Sequence, residues 1–301
     1  ETGLLGVANT SESIYVSYTS AEDCKSNKNP SSHGRTKRCV DNLQLVLKRF
    51  SRQMNDTGTI TKIGISADWH VGGNVTMDNQ GKLYLGIGDA HAPNRNSSAV
   101  QELESPVGKI LRFDLDTEYS EPDVVAMGMR EPWKFSIDSN NRMYIGDVGS
   151  DKFESIFLLE NLYPEKPYNL GWPYFEGPNR TQGYPDSPSE LVRLWPIYWY
   201  MNTYSLGLAI VGSIYVEDLD VLILADVLGW LRLLKKDTDG RWYEIYAQKV
   251  PVEMAYTLGY DRKSGLLLLG GRSKVYELKI DDRVTRFQSQ VRLCRTTMPS
   301  G

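Results

Sequence analysis

Residues 78–89 read Asp-Asn-Gln-Gly-Lys-Leu-Tyr-Leu-Gly-Ile-Gly-Asp, and this stretch decides the fold of the 301-residue chain. A polar turn leads into a short apolar strand that ends in glycine and aspartate. The same order of turn and strand recurs at 138–149, 216–229 and 261–271, with a fainter copy at 13–19. The copies are unevenly spaced, which excludes a tight solenoid and favours β-propeller blades joined by loops of variable length.

Further strand-like runs lie between the copies of this repeat. They are LQLVLKRF (43–50), ITKIGIS (60–66), KILRFDL (109–115), SIFLLEN (155–161), PIYWYM (196–201) and KVYELKI (274–280). Turns rich in Asn, Asp and Gly join them, and no long amphipathic helix is evident, so the sequence predicts an all-β fold of about five four-stranded units. No linker divides these units, so we expect one propeller domain over residues 1–285 and a C-terminal tail over 286–301.

The composition excludes two classes of partner. Hydrophobic residues make up 41% of the chain and aromatic residues 11%, which is enough for a substantial core built from sheets. The formal net charge of -4 gives no general attraction to phosphate backbones, so no nucleic-acid partner is expected. No run of about 18 apolar residues occurs, so we predict that the chain does not span a membrane.

Two features predict a secreted glycoprotein. Five Asn-x-Ser/Thr sequences fit the N-glycosylation motif, and they begin at Asn9, Asn55, Asn74, Asn96 and Asn179. Cys24 and Cys39 bracket a polar insertion, which a disulfide between them would close. Cys294 is then left over, either as a free thiol or as the partner of a cysteine outside this sequence.

The insertion between these two cysteines is basic. Residues 24–40 contain no acidic residue. They carry five cationic side chains, namely Lys25, Lys28, Arg35, Lys37 and Arg38. A solvated loop is the ordinary interpretation of such a run. The alternatives are a patch for an acidic partner, or a cleavage site for secretory-pathway convertases at Arg35-Thr36-Lys37-Arg38, whose two halves a Cys24–Cys39 bridge would hold together.

Several segments resemble, in the same order along the chain, the soluble quinoprotein sugar dehydrogenases and the Hedgehog-interacting proteins. They are ETGLLGVA (1–8), HVGG (70–73), GKLYLGIGD (81–89), GKILRFDLD (108–116), GMREPW (128–133), IGDVGSDKFESI (145–156) and YNLGWPYFEG (168–177). The segments GMREPWK and GDVGSDKFE are closer to the Hedgehog-interacting branch. The resemblance implies a six-bladed β-propeller with its site at one end of the central channel. This chain begins after the family's first blade, so it is truncated, lacks a partner segment, or closes its ring with five blades.

Hairpin geometry predicts which side chains meet. If residues 79–81 form a turn, His70 lies opposite Asp89 to His91, and the same count around Asn140 and Asn141 brings Arg130 near Asp151. In the dehydrogenases that the chain resembles, the histidine matching His70 takes the proton of the substrate hydroxyl, and the arginine matching Arg130 contacts the quinone. A purely structural His70, or a metal site of His70, Asp89 and His91, are the alternatives.

The cationic clamp that such a quinone needs is missing from the sequence. Pyrroloquinoline quinone carries three carboxylates, which require several cations. The family's cofactor lysine corresponds to the turn 225–229, and its paired arginines correspond to 250–261, yet neither segment contains Lys or Arg. Glu131 stands where the resemblance implies Asn. We therefore expect no cofactor, and pyrroloquinoline quinone with calcium only if the chain is a dehydrogenase after all.

The sequence thus supports two main hypotheses. The first is a secreted, non-enzymatic propeller that binds an extracellular protein. In Hedgehog-interacting proteins the loop after the Gly-Asp of this blade inserts a carboxylate at the ligand's zinc, and the corresponding loop here offers Glu102 and Glu104. A Hedgehog-type morphogen is then the expected ligand, with the chain as a decoy. The second is a quinone-dependent sugar or aldose dehydrogenase that uses His70 and Arg130. A glycoprotein that uses the propeller only as a platform is a third hypothesis.

Overall fold

The computed structural model describes residues 3–21, 43–65, 69–90, 98–116, 121–184, 186–280 and the backbone of 287–288. These residues form strands and loops, with short 3₁₀ turns at Ser98–Gln101 and Glu217–Leu219 and no α-helix in the described part. In that part, no helix is long and apolar enough to cross a bilayer.

Five antiparallel sheets follow one another along the chain. The first contains β1 (Leu4–Asn9), β2 (Ser13–Ser20), β3 (Leu43–Ser51) and β4 (Asp56–Ile65). The second contains β5 (Gly72–Met77), β6 (Leu83–Ile87), β7 (Lys109–Phe113) and β8 (Asp123–Met127), with β12 (Tyr168–Asn169) added parallel to β8. The third contains β9 (Lys134–Ile137), β10 (Met143–Asp147), β11 (Phe153–Leu159) and β15 (Tyr198–Met201).

The last two sheets have the same up-and-down order. The fourth contains β16 (Ile210–Val216), β17 (Val221–Asp226), β18 (Trp230–Lys236) and β19 (Trp242–Lys249). The fifth contains β20 (Ala255–Asp261), β21 (Leu266–Gly271), β22 (Val275–Ile280) and β23 (Phe287–Gln288). A two-stranded sheet of β13 (Phe175–Glu176) and β14 (Asn179–Arg180) lies outside them. The predicted five four-stranded units of an all-β, propeller-type chain are confirmed.

The chain forms two compact units. The first comprises residues 1–132, 163–175 and 181–193, and the second comprises 133–162, 176–180 and 194–301. The predicted boundary between a propeller at 1–285 and a tail at 286–301 falls at the edge of the undescribed residues 281–286. That boundary stays a prediction.

The second strand of several sheets is buried over its full length. Every residue of β6, β10 and β17 is buried. A strand with neighbours on both faces is apolar along its whole length rather than at alternate positions, which is why these strands appear as continuous apolar runs in the sequence. In the second unit, β16 approaches β20 so closely that a Cβ on Gly212 would lie 2.5 Å from Cβ of Leu258.

The repeated polar turn is an aspartate-capped hairpin. Asp78 accepts backbone N–H bonds from Gln80 and Lys82, both at 2.9 Å, through Oδ1. Its Oδ2 accepts the hydroxyl of Tyr84 at 2.9 Å and that of Tyr163 at 2.6 Å. The fourth turn residue, Gly81, adopts a left-handed φ of 80°. The motif thus joins the turn to the buried strand that follows it.

The second copy of the repeat uses the same contacts. Asp138 accepts the N–H groups of Asn140 and Arg142, both at 2.9 Å, and the Tyr144 hydroxyl at 3.3 Å. Asn141 occupies the left-handed position, with φ of 58°, which asparagine tolerates better than most residues. In these two copies, the aspartate therefore fixes where the buried strand begins.

We predict that Asp78→Ala lowers the free energy of unfolding by about 2–4 kcal/mol, because two buried or half-buried tyrosine hydroxyls and two turn amides lose their acceptor. Asp237→Ala is the matched control, since the exposed Asp237 accepts the same two turn amides, from Asp239 and Arg241, at 2.9 and 2.8 Å. Urea unfolding followed by tryptophan fluorescence measures both variants. Equal losses in the two variants would contradict the role given to the tyrosine contacts.

Candidate functional site around His70

His70 lies at the open end of the β5–β6 hairpin. His70 and Ala90 both adopt left-handed backbone, with φ of 52° and 54°, and the Ala90 N–H donates to the His70 carbonyl at 3.1 Å. A Cβ on Gly88 would lie 2.0 Å from that carbonyl oxygen, so only glycine allows this approach. Non-glycine residues in this conformation persist where the surroundings impose it, which makes His70 a candidate functional residue.

The imidazole of His70 lies between two carboxylates. Its Nδ1 is 2.8 Å from Oδ1 of Asp89, and its Nε2 is 3.9 Å from Oε2 of Glu131. Asp89 and Glu131 are both buried. The second oxygen of Asp89 accepts the indole N–H of Trp172 at 3.0 Å. The imidazole therefore lies between two buried carboxyl groups and is itself largely buried.

Arg130 reaches this cluster through its backbone and its side chain. Its carbonyl oxygen accepts the Asp89 N–H at 2.7 Å, and its guanidinium carbon lies 5.8 Å from the centre of the Trp172 ring. The predicted contact between His70 and Asp89 is thus confirmed, and the predicted approach of Arg130 to Asp151 stays a prediction. Asp151 belongs to the second compact unit, where its N–H donates to Oε1 of Glu176 at 2.8 Å. His91 lies outside the described residues.

Trp172 is a member of the site that sequence reasoning did not predict. It is 83 positions from Asp89 along the chain. Its backbone N–H donates to Gly128 at 2.9 Å, and its carbonyl oxygen accepts Nε2 of Gln101 at 2.6 Å. One feature of the sequence could have identified Trp172 as a site residue: it lies in the segment YNLGWPYFEG, which is one of those that carry the family resemblance.

The loop that carries Glu102 and Glu104, called the acidic loop below, begins at Gln101, which bonds to Trp172. Gln101 ends the 3₁₀ turn Ser98–Gln101 and also exchanges hydrogen bonds with the side chain of Asn169, at 3.2 and 2.7 Å. Glu102 and Glu104, predicted to bind a ligand, follow directly and are exposed. Leu103 between them is 51% exposed. The loop therefore presents an apolar tip flanked by two carboxylates.

Lys109 holds the other end of this loop. Its buried ammonium donates to the carbonyl oxygens of Val100 and Val107, both at 2.9 Å. Burial lowers the pKa of the Lys109 ammonium to about 8, while the negative charges of Glu102 and Glu104 act in the opposite direction. The loop is thus fixed at both ends, by Gln101 and by Lys109.

The described residues contain no cluster of side chains that supports the hypothesis of a metal site. Within the described ranges, no group of three or more His, Cys, Asp or Glu side chains is arranged to hold an ion. The hypothesis named His70, Asp89 and His91, of which only the first two are described. A metal at these residues stays a prediction.

The modification sites divide into three groups. Asn9, Asn55 and Asn179 are exposed and can accept a glycan. Asn74 is buried in β5, which disfavours a glycan there, because the side chain faces the packed interior and not the solvent. The remaining predicted positions lie outside the described residues: Asn96, Cys24, Cys39, Cys294 and the basic loop with Arg35 to Arg38.

One protein family and two plant proteins match parts of this chain. A family model described as Glucose / Sorbosone dehydrogenase matches residues 1–208. The HIPL1 protein of Arabidopsis thaliana is 28% identical over 174 residues, which is 48% of this chain, and HIPL2 of the same plant is 29% identical over 136 residues, which is 36% of the chain. The matched parts span only 24% and 19% of those two relatives.

Solved structures show the same fold at low identity. A putative glucose dehydrogenase from Thermus thermophilus aligns with a TM-score of 0.64 and 19% identity, covering 89% of this chain and 77% of that one. The aldose sugar dehydrogenase of Streptomyces coelicolor, solved in its PQQ-bound form, aligns with a TM-score of 0.62 and 18% identity, over 93% of this chain and 74% of that one. The fold is therefore that of the quinoprotein sugar dehydrogenase propellers.

The residues present do not fit that cofactor. PQQ is pyrroloquinoline quinone, a tricarboxylate, whereas the groups beside His70 in the first unit are the buried carboxylates of Asp89 and Glu131. In the second unit, the turn matching the family's lysine begins with Asp226, whose carboxylate accepts the N–H groups of Leu228 and Ala209 at 2.8 and 3.0 Å. Burial raises the pKa of the Asp226 carboxyl above its usual value. Apart from Arg130, the described groups at these positions are acidic, whereas a tricarboxylate ligand requires several cations.

We predict that Trp172→Phe lowers the free energy of unfolding by about 1–3 kcal/mol, because the buried Asp89 carboxylate loses its indole donor while the aromatic volume is largely retained. Trp69→Phe is the control, since Trp69 is exposed in the same unit. Chemical denaturation measures both variants. A Trp172→Phe variant as stable as the control would show that the indole bond contributes nothing to the site.

Proposed function

The chain belongs to the glucose/sorbosone dehydrogenase family, and within it we propose that the chain is a non-enzymatic binding protein and not a quinone-dependent dehydrogenase. The observation that carries the proposal is the pair of buried carboxylates on either side of His70, at 2.8 and 3.9 Å from its two ring nitrogens. An anionic quinone placed against this face meets like charges in a region of low dielectric, where their repulsion is strong.

The acidic loop supplies the binding element. Glu102, Leu103 and Glu104 are exposed, and the loop that carries them is fixed by Gln101 and Lys109. A rigid loop loses little conformational entropy when a partner binds. An apolar tip between two carboxylates suits a protein surface with an apolar pocket and either cationic side chains or an open metal position, since carboxylate oxygens are good ligands for zinc. A zinc-bearing ligand of the Hedgehog type matches this chemistry.

An extracellular location is part of the proposal. Three of the N-glycosylation motifs begin at exposed asparagines, Asn9, Asn55 and Asn179, which suits a chain that passes through the secretory pathway. A Cys24–Cys39 disulfide would belong to the same oxidising compartment. A secreted propeller that holds a diffusible morphogen would act as a decoy for it.

We predict that the protein binds a zinc-loaded Hedgehog-type ligand and that Glu102→Ala/Glu104→Ala weakens this binding by about ten- to a hundredfold. The loss reflects the removal of two charge-assisted contacts. Surface plasmon resonance with the immobilised ligand measures the affinity, and a repeat with zinc removed by chelation tests the role of the metal.

Glu190→Ala is the control for that experiment, because Glu190 is an exposed carboxylate of the same unit outside the loop. The control variant should bind like the wild-type protein. A wild-type protein that shows no binding would exclude the Hedgehog-type ligand. Binding that the double variant leaves unchanged would exclude the acidic loop as the contact.

The dehydrogenase hypothesis is kept as a second candidate because of one contact. The 2.8 Å bond between Nδ1 of His70 and Asp89 orients the imidazole and leaves Nε2 directed towards Glu131, and a histidine held by a carboxylate in this way is suited to proton transfer. Its weakness is the same Glu131, which faces the nitrogen that would take the proton.

We predict that titration with pyrroloquinoline quinone and calcium gives no stoichiometric quenching of tryptophan fluorescence, and no dye reduction with a panel of aldoses, because the cationic clamp is missing. The control is a dehydrogenase of known activity reconstituted in parallel. Saturable quenching together with dye reduction that His70→Ala abolishes would establish the enzyme and overturn the binding proposal.

A further inference from the structure

Lys109 is the first residue of β7, and it is fully buried although its side chain ends in an ammonium group. The ammonium donates to the carbonyl oxygens of Val100 and Val107, both at 2.9 Å, and to that of Ala99 at 3.4 Å. An ammonium has three N–H groups, so these three acceptors engage all of them. We call the carbonyl groups of Ala99, Val100 and Val107 the carbonyl cage. It joins the two ends of the acidic loop around one positive charge.

The backbone around the carbonyl cage is closely packed. The Val100 carbonyl also accepts the Gly128 N–H at 3.1 Å, and the Gly108 N–H donates to Gly88 at 2.9 Å. Gly108 adopts a left-handed φ of 65°, and a Cβ on it would lie 2.7 Å from the Met129 carbonyl oxygen. The fold itself therefore holds part of the cage in place, and not the ammonium alone.

The neighbours of Lys109 on the adjacent strands carry no charge. Ile87 of β6 and Met127 of β8 lie opposite it in the sheet. Burial lowers the pKa of the Lys109 ammonium to about 8, and the negative charges of Glu102 and Glu104 act in the opposite direction. The buried positive charge is therefore stabilised by the two carboxylates of the loop that it holds.

The backbone connects Glu102 directly to the carbonyl cage. The Glu102 N–H donates to the Ala99 carbonyl at 3.2 Å, and this carbonyl is one of the three that accept the ammonium. The Ser105 N–H donates to the Glu102 carbonyl at 3.3 Å, so Glu104 lies within a hydrogen-bonded turn. Residues 98–107 contain no other charged side chain. The charge of this segment thus comes from the two glutamates.

We propose that Lys109 couples the binding of a partner at the acidic loop to the release of a proton. A cationic or zinc-bearing partner neutralises Glu102 and Glu104, and the buried ammonium then loses the charges that favour it. The proton leaves Nζ for the solvent, and the neutral amine retains two N–H donors for the carbonyl cage. This inference rests on the proposed function, because it takes the acidic loop as the contact.

The coupling determines how the affinity depends on pH. The complex holds fewer protons than the free protein as long as Lys109 of the free protein is protonated, which is the case below about pH 8. The affinity should therefore rise as the pH approaches 8 and level off above it. Since one proton is exchanged, the rise is at most about tenfold per pH unit.

The first test needs no partner. Whole protein labelled with ¹³C at lysine Cε is titrated from about pH 6 to about pH 11 by NMR, and Lys109 should titrate near pH 8, well below an exposed lysine. The double variant Glu102→Gln/Glu104→Gln should lower this midpoint further, because the ammonium loses its two stabilising charges. Both changes are at exposed positions. A midpoint that the double variant leaves unchanged overturns the proposal.

Lys134 is the control within the same spectra. Burial lowers its pKa to about 8 as well, and it lies in the second unit. The double variant should leave the Lys134 midpoint where it is. Lys134→Arg removes one of the two signals that titrate near pH 8 and so assigns the other to Lys109. A shift of both midpoints by the same amount would be a general effect of the variant and would contradict the coupling.

The second test measures the coupling itself. Surface plasmon resonance with the zinc-loaded ligand of the Hedgehog type is repeated at about pH 7, 8 and 9. The affinity of the wild-type protein should rise and then level off, whereas Lys109→Arg, which stays charged, should lose this dependence. A rise that persists in Lys109→Arg belongs to groups of the ligand and overturns the coupling. If this variant does not fold, the NMR titration decides.

The two proposals fail in different ways. Binding with the same affinity at every pH would overturn the coupling and leave the acidic loop as the contact. Absence of binding at every pH would overturn the proposed function, and the coupling with it.

Discussion

The register of the buried strands β6 and β10 is set by the aspartate of the turn before each of them, and the site at the end of the β5–β6 hairpin depends on that register. Asp78 and Asp138 bind their own turn amides through one oxygen and a tyrosine of the following strand through the other. A slip by one residue would reverse the faces of a strand and leave a buried carboxylate without donors. The turn and the buried strand therefore specify each other.

The same register brings the site together. Val75 pairs with Leu85 and Gly72 with Ile87, and the irregularity between these two pairs changes the alignment just before the open end of the hairpin. A local bulge of this kind can redirect a side chain, and it lies directly after the left-handed backbone that places His70 beside Asp89. The chemistry of the site is thus a consequence of how one hairpin pairs.

Sequence reasoning succeeded where the relevant contacts are local. The turn-and-strand repeat gave the five sheets, and counting residues around the turn at 79–81 gave the contact between His70 and Asp89. It failed where the contacts are distant: Trp172 lies 83 positions from Asp89, and no local pattern indicates an indole donor. The motif at Asn74 predicts a glycan but contains no information on the burial of this side chain in β5, which disfavours one.

The carboxylates of the site and those of the acidic loop differ in burial. Asp89 is buried, and its carboxylate is close to His70 and Trp172, so its cost of desolvation is offset by contacts that the fold itself provides. A site whose donors are already engaged by its own carboxylate offers few contacts to an added anion. Glu102 and Glu104 are exposed on a loop fixed at both ends, and they retain their hydration until a partner replaces it. The proposed binding role therefore rests on the exposed pair and not on the buried carboxylates.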